Sequence, residues 1–115
     1  MDWKGVIIKE SLKDVSVLDH VGIVESHKKE LGISGWWTVL NVIVSPDKIG
    51  KVSELLMKGL RKGWYAHFRR NGRILIIFRG KKFNIKEGSK LSLERVRNWA
   101  FKTYNILPEV FSLDS

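Results

Sequence analysis

An Asn-Gly pair at positions 71 and 72 divides two β-prone runs, Gly63-Trp64-Tyr65-Ala66-His67-Phe68-Arg69-Arg70 and Arg73-Ile74-Leu75-Ile76-Ile77-Phe78-Arg79. Both turn residues tolerate the positive φ that a type I′ turn needs, so the runs should fold back as a hairpin. A two-residue loop also fixes the register. It sets Arg70 against Arg73, Phe68 against Leu75, Ala66 against Ile77 and Trp64 against Arg79 on one side of the ribbon. The other side carries Arg69 with Ile74, His67 with Ile76, and Tyr65 with Phe78. Both sides are largely apolar at mid-ribbon, which places the hairpin inside a sheet and not at its edge. The side with Trp64, Ala66, Phe68, Leu75 and Ile77 is the expected core side.

The rest of the chain arranges itself about this hairpin. Gly5 to Glu10 and Val21 to His27 read as short strands, with a turn or a single helical turn over Asp14 to Asp19. Lys28 to Gly35 reads as a connection. Trp36 to Val44 is a long β-branched strand, with Leu40, Val42 and Val44 on its more apolar side and Trp37, Val39, Asn41 and Ile43 on the other. Ser45-Pro46-Asp47 opens a helix, Ile49, Val52, Leu56 and Leu60 form its apolar stripe, and Gly63 ends it. Gly80-Lys81 turns into a strand over residues 82–85. Ser92 caps a second helix whose face carries Leu93, Val96, Ala100 and Tyr104; Asn105 ends it and Pro108 prevents its continuation.

The resulting order is β-β-β-α-β-β-β-α. It predicts a single α+β domain over residues 1–115, two-layered, with a mostly antiparallel sheet, both helices on one face and a ferredoxin-like core from Trp36 onward. Trp64, Phe68, Leu75, Ile77, Val52, Leu56 and Val96 should share one core. A chain of 115 residues suits one domain, and its 43% hydrophobic content suits a globular one.

Residues 63–68, the later run Ile76-Ile77-Phe78-Arg79-Gly80-Lys81-Lys82-Phe83 and Ile106-Leu107-Pro108-Glu109 resemble a family of small prokaryotic α+β proteins of unknown function. The opening Trp3-Lys4-Gly5-Val6-Ile7-Ile8 is similar to it as well, as is Glu10-Ser11-Leu12. The resemblance implies a stand-alone domain and assigns no activity and no functional residues.

Charge narrows the choice of partners. The net charge is +9, but residues 1–45 hold five lysines against six acids, while residues 46–115 hold sixteen lysines or arginines against six acids. A basic half beside a near-neutral one suits a polyanion partner; the plainer reading is a solvated surface. The chain has no cysteine, which removes disulfides, thiolate metal sites and cysteine nucleophiles and fits a cytoplasmic setting. No apolar run reaches a membrane span and no signal peptide is evident. The absence of glutamine, with abundant Lys and Ile, is a bias of the thermophilic kind.

Chemistry-bearing motifs are scarce. His20, His27 and His67 are the only histidines, and none has metal-ligand spacing to another. Ser11, Asp14, Asp19 and His20 can converge at a turn, yet acids there are ordinary turn residues. No G-x-S-x-G, P-loop or dinucleotide fingerprint occurs. No cofactor, metal ligand or catalytic residue is therefore assigned, although paired carboxylates that meet only in space leave a small enzyme as one reading.

The best binding patch is Tyr65, His67, Arg69, Arg70, Arg73, Phe78, Arg79, Lys81 and Lys82. Open sheets with central aromatics stack single-stranded bases while cations collect the phosphates, so RNA or single-stranded DNA is one candidate partner. The same residue types are enriched at subunit interfaces, so a homo-oligomer or another protein is the other. The expected function is that of a small, basic, non-catalytic binding module acting through a sheet face.

Overall fold

The computed structural model describes residues 1–30 and 35–105. The strands are β1 (Trp3–Ile8), β2 (Gly22–Glu30), β3 (Trp36–Val44), β4 (Tyr65–Arg70), β5 (Arg73–Phe78) and β6 (Lys81–Lys86). Helix α1 (Ile49–Gly59) joins β3 to β4, and α2 (Lys90–Tyr104) follows β6. This is the expected order of elements. All six strands form one antiparallel sheet in the order β2-β3-β1-β4-β5-β6.

The hairpin has the expected register, from Arg70 opposite Arg73 to Tyr65 opposite Phe78, and its ladder stops short of Trp64 and Arg79. Asn71 (φ 47°) and Gly72 (φ 75°) take the positive-φ conformation that the turn demands. The hairpin also lies inside the sheet, with β1 on one flank and β6 on the other.

Two features of the predicted architecture are corrected. First, the helices lie on opposite faces, so the sheet is the middle of three layers. Leu75 and Ile77 pack into a core with Val52 and Leu56 of α1 and with Leu60 just past its end, while Ile74, Ile76 and Phe78 pack with Val96 and Ala100 of α2. Val96 therefore does not share a core with Val52 and Leu56. The physical reason is β5 itself: every residue from Ile74 to Phe78 is buried, so both of its faces need a cover.

Second, the core is not ferredoxin-like. β3 and β4 run parallel to each other, joined by α1 and separated by one antiparallel strand, which is a split β-α-β arrangement. In a ferredoxin-like unit the following hairpin supplies the separating strand. Here β1 supplies it, paired to β3 from Trp3–Val44 to Ile8–Val39 and to β4 from Lys4–Arg69 to Val6–His67. Gly5 makes the fit possible. A Cβ there would lie 2.5 Å from the His67 carbonyl oxygen and closer still to the Phe68 ring, so only glycine lets that ring cross β1.

Several boundaries also move. Residues 45–48 form a turn closed by the Lys48 N–H donating to the Ser45 carbonyl at 3.0 Å, so Ser45 precedes α1 without capping it. The helix ends at Gly59, and Gly63 (φ 83°) sits in a later turn. Ser89, not Ser92, caps α2: its hydroxyl accepts the Ser92 N–H at 3.3 Å. Asn105 ends α2 in the left-handed conformation, as expected. β2 reaches Glu30, so the expected connection from Lys28 begins as strand. Gly32 and Ser34 of that connection, Pro108, and the family-like run Ile106–Glu109 lie outside the described residues.

Candidate functional site

The face of the sheet that carries α1 is called the first face here, and the one that carries α2 the second. On the second face α2 covers only the β5–β6 side: its core takes Ile74, Ile76 and Phe78, with Tyr65, Phe83, Ile85, Trp99 and Tyr104 packed around it. Strands β1, β3 and β2 contribute nothing to that core. The register puts Lys4, Val6 and Ile8 of β1 on this open part, beside Ile43, Asn41 and Val39 of β3. Val6, Ile8, Asn41 and Ile43 remain half-exposed.

This placement divides the nine-residue patch expected from the sequence. Phe78 is fully buried, with ring centroids of Trp99 at 4.9 Å, Tyr65 at 5.7 Å and Phe83 at 6.1 Å. Tyr65 is half-buried beside it. The two rings therefore belong to the packing under α2 and do not form an open stacking platform. The cover is α2, not the N-terminal residues 1–30. The Tyr104 hydroxyl donates to the Arg79 carbonyl at 2.9 Å and pins the end of α2 at that position.

The cations separate as well. Lys81 lies with its Nζ 5.4 Å from the Phe83 ring centroid. Lys82, opposite Ile77, and Arg73, opposite Lys86, belong by register to the first face along the β6 edge. Arg73 Nε donates to Asn84 Oδ1 at 3.0 Å.

Of the nine, His67, Arg69 and Arg70 line one concavity of about 610 Å³; His67 and Arg69 lie by register on the open part of the second face, and Arg70 borders it at the end of β4. Lys4, Val6, Asn41 and Ile43 line it as well, together with Met1, Asp2, Val24, Asn71, Gly72 and Glu87. His67 is buried, 5% exposed. Arg69 Nη1 pairs with Glu87 Oε1 at 3.1 Å, and Arg70 Nε donates to the Met1 carbonyl at 2.8 Å. Lys4, Arg69 and Arg70 thus meet two acids, Asp2 and Glu87, around the half-exposed Val6, Asn41 and Ile43. This mixed surface can hold a partner of mixed charge. Among the described residues, no group of three His, Asp or Glu side chains is placed to hold a metal ion.

Lys4, Val6, Asn41, Ile43 and Glu87 were not singled out from the sequence. The one available signal was β3, where alternation already put Asn41 and Ile43 on the less apolar side. The acids with displaced pKa values lie elsewhere. Burial pushes the Glu10 carboxyl up, but the Thr38 N–H and hydroxyl, its own N–H and nearby Lys28 together bring it below the ordinary range. The Ser16 N–H, donating at 2.9 Å, lowers Asp14. Ser45 lowers Asp47. These contacts fix turns and strand ends.

β2 bounds the open region. Among the described residues it is the last strand of the sheet and pairs with β3 alone, and all nine of its residues are exposed. No helix among the described residues is long and apolar enough to cross a membrane. No family model, curated protein or solved structure matches this chain.

Proposed function

We propose that this protein is a small, basic, non-catalytic binding module that self-associates through the uncovered end of its sheet, where β2, β3 and β1 lie. The observation that supports this reading is the asymmetry of the second face. One helix covers the β5–β6 side, and Val6, Ile8 and Ile43 stay half-exposed up to a strand with no outer neighbour among the described residues. Mixed charge around the concavity suits a copy of the same mixed surface better than a uniform polyanion, and twofold dimers are the commonest assembly. A cytoplasmic setting accords with the lack of cysteine. Sedimentation equilibrium over a wide range of concentrations tests the reading. A concentration-dependent rise in mass is expected, and a monomer throughout overturns it.

A second reading keeps single-stranded RNA or DNA as the partner. Lys81, Lys82 and Lys86 are exposed along the opposite edge, with exposed Arg73 beside them. With Phe78 buried, that contact is electrostatic along the backbone and loses its stacking component.

A further inference from the structure

The two edges of the sheet differ. β6 presents Lys81, Lys82 and Lys86, and lysines on an edge oppose pairing with another chain. β2 carries both signs, Glu25, Lys28, Lys29 and Glu30. Its register against β3 is regular from Glu25–Asn41 to Glu30–Trp36, below an irregularity between Ile23 and Glu25. Glu25, His27 and Lys29 lie on the second face, opposite Asn41, Val39 and Trp37. Glu25 Oε1 is 3.9 Å from His27 Nδ1.

Resting on the self-association reading, we propose its mode: β2 pairs antiparallel with β2 of a second copy about a twofold axis at His27, joining the two sheets edge to edge. Geometry leaves few registers. Facing residues in an antiparallel ladder must both point their N–H and C=O groups across, or both away, so the axis must pass through a residue. An axis at Glu25 or at Lys28 sets a like-charge pair face to face. An axis at Ser26 opposes Glu25 to His27 and Val24 to Lys28. An axis at His27 uses the regular segment and sets Glu25 against Lys29 of the second copy, and Lys29 against its Glu25. Opposite charges directly across a ladder stabilise it and like charges weaken it. The half-open second faces then continue into each other.

Charge reversal tests the proposal on the full chain, because β2 is exposed and contributes to neither core. Glu25→Lys alone and Lys29→Glu alone should each weaken self-association at least about tenfold by sedimentation. The double variant should return it to near the wild-type value, since both pairs re-form reversed. Singles that weaken without rescue in the double overturn the register. Association insensitive to all three variants but lost in Val6→Asp overturns edge pairing and leaves the broader reading intact. A wild-type chain that stays monomeric overturns both.

Discussion

Leu75 and Ile76 are adjacent in β5, yet each is buried in a different core: Leu75 against α1, Ile76 against α2. The strand is therefore the common wall of two hydrophobic layers, and neither layer is complete without it.

That shared wall should make unfolding a single event. Leu56→Ala on the α1 side should cost about 2–5 kcal/mol, and Phe78→Ala on the α2 side about 3–5 kcal/mol. Both should shift the same urea transition, followed by fluorescence and far-UV circular dichroism. Two separated transitions in either variant would show that the layers fold independently.

Gly5→Ala should destabilise by about 1–3 kcal/mol, because the added methyl meets the His67 carbonyl and the Phe68 ring. Shortening that ring tests the cause. In the Phe68→Leu background the same change should cost less than it does alone, a coupling that a double-mutant cycle measures. Strict additivity would mean that the ring is not the obstacle.

The Glu10 carboxylate ties β3 to the turn after β1. It accepts the Thr38 N–H at 2.6 Å and the Thr38 hydroxyl at 2.8 Å. Its folded pKa lies below the ordinary 4.5, so its contribution is present above that value and disappears as pH falls through the folded pKa. Glu10→Gln should therefore be less stable than wild type at neutral pH, with the gap closing in acid. Urea midpoints at pH 7 and well below pH 4 measure this; a gap that widens in acid reverses the sign.

If the β6 edge binds nucleic acid, affinity for a mixed-sequence single strand should fall steeply with salt, and Lys82→Ala should reduce the log–log slope by about one. Tyr65→Ala should leave that slope unchanged, since the tyrosine lies in the packing under α2. Salt-resistant binding that depends on Tyr65 would restore the stacking reading. No binding at low salt would leave the basic half as a solvated surface.

The hairpin was legible because its information is local: two turn residues, two alternating runs and one register. The α1 stripe, the strand over residues 36–44 and the Asn105 terminus were legible for the same reason. The side taken by each helix was not. Every residue from Ile74 to Phe78 is apolar, so alternation shows two buried faces without saying which helix covers which. The site suffered the same loss. Arg69 and His67 were visible as a basic, polar side of the hairpin, but Lys4, Asn41 and Ile43 reach them through pairings with strands far away in the chain, and nothing in their own neighbourhoods announces those pairings.

The position of β1 carries a consequence for how the chain assembles. Trp3 pairs with Val44, and Val6 pairs with His67, so β1 must wait for partners synthesised well after it. The local β4–β5 hairpin can form early, while β1 waits on long loop closures whose entropic cost precedes any gain. Until β1 docks between β3 and β4, two further strand edges stay bare. During that interval the nascent chain is most open to wrong pairings, and a delay in reaching residue 70 prolongs it.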